Sequence, residues 1–164
     1  MISKAKKINK IKPYFLCILI CIMVEISAGL ITQPSISNWY KALIKPEFTP
    51  PNWLFAPVWS LLYLMMGSAW GRINTIFLDD KVIKRANVLF VAQLIFNALW
   101  SIFYFGAHSI NYALVDIILL WLTIIFTIYQ FFIISKLAGW LLIPYLLWTS
   151  YAVVLNASIW YLNR

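Results

Sequence analysis

Gln93, Asn97, Trp100, Ser101 and Tyr104 fall at offsets of 0, 4, 7, 8 and 11, the spacing of one face of an α-helix. Amide, hydroxyl and indole groups arranged in this way bind rather than react. They offer ring faces for stacking and a few directed hydrogen bonds. Three other apolar stretches carry similar stripes. Trp59, Tyr63 and Trp70 share one face, Tyr112, Asp116, Thr123, Thr127 and Gln130 a second, and Tyr145, Trp148, Ala152, Leu155 and Asn156 a third. Turned toward one another, these stripes suit a flat, mostly apolar ligand with a few polar edges. Hydrogen bonding from helix to helix, with no ligand at all, accounts for the spacing equally well.

Reactive groups are sparse. Asp116 lies near the start of its apolar stretch and reads first as a partner for a neighbouring helix rather than a catalytic acid. Glu25 sits deeper in the first stretch, and a proton relay would need further acidic or histidine partners. His108 falls in a short polar connection and reads as a loop residue rather than an axial haem ligand. Cys17 and Cys21 are four residues apart on one helical face, without the further ligands a zinc site needs. They read as packing residues. There is no nucleophile–base pair, metal-ligand cluster or glycine-rich phosphate loop, so hydrolase and nucleotide chemistry are not indicated.

Positioning these stripes requires long apolar helices. Of 164 residues, 63% are hydrophobic and only 11% are charged, and mean hydropathy is +0.85. A chain this short cannot hide that much apolar surface from water. The expectation is therefore an all-α integral membrane bundle of five transmembrane helices in one domain. The spans are placed at about residues 14–31, 53–71, 87–105, 112–134 and 140–161, behind a basic tail at 1–12. The proline-bearing stretch from Thr32 to Pro51 reads as a stiff loop, the charged stretch from Arg72 to Arg85 as a second loop, and Lys136 to Gly139 as a tight turn. The first apolar run is too long for a signal core and lacks a small-residue cleavage site, so it reads as a retained helix.

The net charge of +8 does not call for nucleic acid, because no aromatic-basic patch accompanies it. It follows the positive-inside rule instead. The N-terminal tail, second loop and fourth loop carry ten Lys or Arg, against three on the other side, which puts the N-terminus inside and the C-terminus outside. Gly67 and Gly71 form a small-xxx-small pattern that serves a dimer or packing within one chain.

The segment Trp39-Tyr40-Lys41-Ala42-Leu43-Ile44-Lys45-Pro46-Glu47-Phe48-Thr49-Pro50-Pro51-Asn52-Trp53 runs on into Pro57-Val58-Trp59, Leu62-Tyr63 and Met66-Gly67. It strongly resembles the TspO/MBR family, the tryptophan-rich sensory proteins and translocator proteins that include the peripheral-type benzodiazepine receptor. Gln93-Leu94 with Asn97 and Trp100-Ser101, Ala113 to Asp116, and Pro144-Tyr145-Leu146 through Trp148, Tyr151-Ala152 and Leu155-Asn156 continue the likeness.

The resemblance implies a five-helix receptor or carrier, a homodimer, with a pocket under the first loop. The implied ligands are tetrapyrroles such as protoporphyrin IX, taken as ligand with no obligatory cofactor or metal, and other apolar molecules such as sterols. A link to stress or porphyrin homeostasis is implied too. By the same resemblance the ligand-binding positions are Trp59, Tyr63, Asn97, Trp100, Ser101, Trp148 and Ala152. The alternatives it leaves are light-dependent porphyrin degradation, with Trp59 and Trp148 as the catalytic pair, and a ligand-gated regulatory module acting through a protein partner. The family's sterol motif falls on Leu155, Tyr161 and Arg164, with altered aromatic spacing. Lys41 and Lys45 on the first loop are candidates to meet ligand carboxylates, or else solvent and lipid headgroups.

Overall fold

The computed structural model describes residues 11–164. The basic tail's Lys4, Lys6, Lys7 and Lys10 lie outside the described residues. Five helices are long and apolar enough to cross a bilayer. They are α1 (Ile11–Ile36), α3 (Asn52–Ile73), α4 (Asp80–Ser101), α5 (Ile110–Ile134) and α6 (Lys136–Leu162). The short α2 (Trp39–Ala42) sits in the first loop, and α4 runs into a π-helical turn at Ile102–Gly106. Even the 22 residues of α3 span roughly 33 Å at the helical rise, enough for a hydrocarbon core of about 30 Å. The chain is thus an integral, multi-pass membrane protein.

The rods close a ring. α1 packs on α3, α3 on α6, α6 on α5, α5 on α4, and α4 back on α1, while the consecutive pair α3 and α4 touch little. The glycine pattern sets the first of these contacts. A Cβ at Gly67 would stand 2.6 Å from Cα of Ile18, and one at Gly71 would stand 2.7 Å from Cα of Tyr14. The small-residue stripe therefore lets α1 lie directly on α3 within one chain. Cys17 and Cys21 are buried.

Element ends differ from the sequence reading in three places, each for a tertiary reason. α1 continues past Thr32 and through Pro34 to Ile36, because Ser35 holds its last turn by donating to the Phe105 carbonyl at 2.7 Å. α4 begins at Asp80 rather than near residue 87, so Lys81, Lys84 and Arg85 are helical. Its cap is Asp79, whose carboxylate accepts from the Lys81 amide at 2.7 Å. α6 begins at Lys136, and the whole connection from α5 is one extended residue, Ser135. Gly139 is therefore no turn residue. It is helical, and a Cβ there would lie 2.5 Å from the Phe132 ring.

Side-chain amides fasten the far end of the α3–α4 hairpin. Asn74 and Asn87 exchange hydrogen bonds at 3.0 and 3.1 Å, and the Trp70 indole donates to Asn87 Oδ1 at 2.5 Å. Replacing Asn87 by Leu leaves the Trp70 indole N–H without its acceptor, while Asn74 Nδ2 keeps only its bond to the Trp70 carbonyl. A loss of about 1–3 kcal/mol is expected, read as a lower unfolding midpoint in detergent.

Candidate functional site

The inward stripes meet in the centre of the ring. Tyr63 of α3 donates its hydroxyl to Asn97 Oδ1 of α4. Asn97 Nδ2 donates to the Tyr145 hydroxyl of α6 at 2.9 Å, and Tyr145 donates to Gln93 Oε1 at 3.0 Å. All four side chains are buried. A hydrogen-bonded chain through three helices is what hydrocarbon demands of polar groups, since none can turn to water. Nearby, Ser60 of α3 donates to Glu25 of α1. That gives the mid-span carboxyl a structural partner.

Aromatic rings wall this centre. Trp59 lies 5.8 Å from Tyr63 and 6.2 Å from Tyr145, ring to ring. Trp148 lies 5.9 Å from Phe55 and 5.8 Å from Tyr151. Trp100 stacks on Tyr104 at 5.2 Å, and its indole donates to Asn156 Oδ1 at 3.0 Å. Trp59, Trp100, Trp148 and Ala152 are half-buried and pack on the main core. Ser101 is buried.

The hydrogen bonds sort the tryptophans. Trp70, Trp100, Trp121 and Trp160 each give their indole N–H to a side chain of another helix. Among the described residues, Trp39, Trp59 and Trp148 are the half-buried indoles whose N–H is not engaged in this way, Trp39 on the first loop and the other two on α3 and α6. Gln93 Nε2, Tyr104 Oη and Asp116 Oδ2 are buried with no protein partner, so polar capacity remains at this centre. No group of three His, Cys, Asp or Glu side chains suited to a metal gathers among the described residues.

Trp59 and Tyr63 lie on α3, Asn97, Trp100 and Ser101 on α4, and Trp148 and Ala152 on α6; of these, Tyr63 meets Asn97 by a hydrogen bond and Trp59 by ring contact. The structure departs from the sequence reading in what some of them do. Asn97 holds two tyrosines and Trp100 holds Asn156, so their polar atoms serve the helices first. Lys45 is not free for a ligand carboxylate. Its ammonium donates to the carbonyls of Tyr40, Leu43 and Lys41 at 2.7, 2.9 and 3.3 Å and sits 4.9 Å from the Tyr40 ring centre. Lys41 is exposed. Tyr112 points outward, 68% exposed, because at the start of α5 it finds only Phe103, ring to ring at 6.2 Å. Leu155 is buried while Tyr161 is exposed, and the Arg164 guanidinium lies 4.2 Å over the Tyr161 ring. The sterol-motif residues therefore do not share one face.

The first loop closes one end of the ring. Trp39 stacks on His108 at 4.6 Å and meets Tyr104 edge-on at 5.3 Å. His108 holds the left-handed conformation, φ 53°, with Nε2 3.0 Å from Ser35 Oγ. The Ser35 hydrogen already goes to Phe105, so this imidazole nitrogen is the donor. Tyr40 is buried beneath the loop, and that burial pushes its phenol pKa up, with the Tyr151 phenol adding to the effect. Phe48 meets Tyr151 at 6.2 Å, edge-on. Phe55, Tyr104, Tyr145 and Tyr151 were not among the expected binding residues. Tyr104 and Tyr145 stand on the inward stripes and Tyr151 lies three residues from Trp148 on the same helix, which is signal enough, whereas Phe55 of α3 becomes a neighbour of Trp148 only through folding.

The model of the TspO/MBR family matches residues 17–162. The chain is 41% identical over 148 residues to the tryptophan-rich protein TspO of Chlorobaculum tepidum, covering 90% of this chain and 94% of that one. It is 33% identical over 149 residues to the tryptophan-rich sensory protein of Cereibacter sphaeroides, covering 91% and 90%. It is 35% identical over 127 residues to the human translocator protein, covering 75% and 73%.

Proposed function

Because this chain belongs to the TspO/MBR family, we propose that it is a membrane receptor and carrier for tetrapyrroles of the protoporphyrin IX class, held under the first loop. One observation carries this reading. Trp59 and Trp148 are half-buried against the main core with their indole N–H groups uncommitted, and Trp59 lies against the Tyr63 and Tyr145 rings of the hydrogen-bonded Tyr63–Asn97–Tyr145 chain. Indole faces stack on a planar macrocycle, and free indole N–H groups donate to its carboxylate edges. The positive-inside count supports an N-terminus on the inner side of the membrane and a first loop on the outer.

The test is a titration of the detergent-solubilised protein with protoporphyrin IX, followed by tryptophan fluorescence. Saturable quenching is expected. Ala152→Phe puts a ring beside Trp148, one turn along α6, and is expected to weaken binding about tenfold, equivalent to about 1.4 kcal/mol. Quenching that never saturates, or that Ala152→Phe leaves unchanged, rejects the site. The same titration under illumination separates binding from turnover. A new absorbing product that vanishes in the Trp59→Phe, Trp148→Phe double variant would make the protein a porphyrin-degrading enzyme.

A further inference from the structure

Glu25 is a carboxyl that the tetrapyrrole reading does not use. It stands within two residues of the middle of the 26-residue α1. It is half-buried, on a helix whose Met23, Ile26 and Leu30 are exposed along the apolar span. Asp116, the other acidic residue inside a span, is enclosed instead. An ionised group at this depth is expensive unless an opposite charge meets it. The two helices that hold it supply none. Their basic residues, Lys12 and Arg72, stand at the ends remote from the first loop, and no described cation pairs with Glu25.

Ser60 of α3 is nevertheless turned toward negative charge. Within the spans Ser27, Ser68, Thr127, Thr149 and Ser150 each give their hydroxyl hydrogen to the carbonyl four residues back, the ordinary choice for a helical hydroxyl in hydrocarbon. Ser60 instead donates across the seam to Glu25 Oε1. A donor aimed at a carboxylate oxygen stabilises its charge. The second oxygen, Oε2, takes no hydrogen bond from a described residue.

Small residues flank this carboxyl on the side of the first loop. Ala28 and Gly29 lie one turn beyond Glu25 on its own face of α1, and Ala56 lies one turn before Ser60 on α3. Gly29 and Ala56 are exposed, and a Cβ at Gly29 would meet nothing within 4 Å. The carboxyl therefore borders a notch that opens to the acyl tails.

We propose that Glu25 and Ser60 form a binding site for a protonated apolar amine that arrives through the bilayer, its ammonium on the Glu25 carboxylate and its body in the notch at Ala28, Gly29 and Ala56. Depth selects this class over a lipid headgroup. Glu25 lies eleven residues from the end of α1, about 16 Å at the helical rise, too far from the interface for a headgroup ammonium on its own lipid. The inference does not rest on the porphyrin reading.

The test compares 1-adamantanamine with 1-adamantanol, which share one apolar cage and differ in charge. Both are titrated calorimetrically into the detergent-solubilised protein, with protein-free micelles as the blank. The amine is expected to bind at least about tenfold more tightly than the alcohol. Glu25→Gln keeps an acceptor for Ser60 and removes the charge, so it abolishes that preference and leaves the alcohol within about twofold. Gly29→Leu fills the notch and weakens both compounds about tenfold. Equal binding of amine and alcohol overturns the proposal, as does a preference that survives Glu25→Gln. A Gly29→Leu variant that binds both like the parent overturns the notch. Labelling of Glu25 by dicyclohexylcarbodiimide, located by mass spectrometry, needs no variant. The amine is expected to slow it about fivefold and the alcohol to leave it unchanged, by occupying the carboxylate. Slowing by both compounds alike, or by neither, overturns the assignment.

Discussion

Replacing Asn97 by leucine lowers the stability of the folded bundle by about 1–4 kcal/mol and weakens ligand binding with it. The argument runs through the partners left behind. Leucine is close to asparagine in size, so packing loss is small. It can neither accept from Tyr63 nor donate to Tyr145. Tyr63 is 2% exposed and has no water to turn to, so its hydroxyl becomes an orphaned donor, which costs about 1–3 kcal/mol. Tyr145 keeps its bond to Gln93 but loses the one it accepts. Hydrogen bonds between membrane helices are often worth less, about 0.6–2 kcal/mol each, which sets the lower end of the range.

Reversible denaturation in mixed micelles measures the effect. A cycle with Tyr63→Phe isolates the pair. If the bond is real, Tyr63→Phe on the Asn97→Leu background costs at least about 1 kcal/mol less than on the parent. A change below about 0.5 kcal/mol for Asn97→Leu would show that this chain does not organise the centre. Protoporphyrin IX quenching on the same variant reports whether the floor of the site moved.

Alanine at both Gly67 and Gly71 is expected to lift α1 off α3. The added Cβ atoms would stand 2.6 and 2.7 Å from the Cα atoms of Ile18 and Tyr14, where carbon pairs prefer about 3.5–4.0 Å. Those neighbours are backbone, so no rotamer change relieves the clash and the helix itself must shift by about 1 Å. Overpacking costs about 1–3 kcal/mol per site, and α1 also carries Glu25 and Ser35, whose bonds to Ser60 and Phe105 would stretch. The expected result is a lower unfolding midpoint, with faster amide exchange at Ser60 and in the Phe105 turn. Gly29→Ala is the matched control. A Cβ there meets nothing within 4 Å, so the variant is neutral or slightly more stable, because alanine is favoured over glycine in a helix by about 1 kcal/mol. If the double alanine variant unfolds like the parent, the stripe does not set the α1–α3 contact.

Much of this architecture follows from the chain's chemistry without any knowledge of its contacts. Five long apolar runs in a membrane leave the backbone no choice but helices. Polar groups cannot face acyl tails cheaply, so residues at helical spacing such as Gln93, Asn97 and Tyr145 had to point inward, and the structure buries all three. The motif from Trp39 to Trp53 carried the family. What spacing left open was the partner. The same stripe suits a ligand or a neighbouring helix, and only the packed bundle joins Asn97 to two tyrosines while leaving Trp59 and Trp148 uncommitted. Periodicity also had no means of sensing where a helix end goes uncovered, hence the outward Tyr112.

Closure of the first loop lay further still beyond reach. Asn163 and Ile44 are 119 residues apart, Ser35 and His108 are 73 apart, and nothing local marks either pair. Helix formation and inward facing are decided by each segment's own composition against the bilayer. Which side chains meet across the bundle is decided by how the rods settle against one another, and that belongs to the tertiary structure alone.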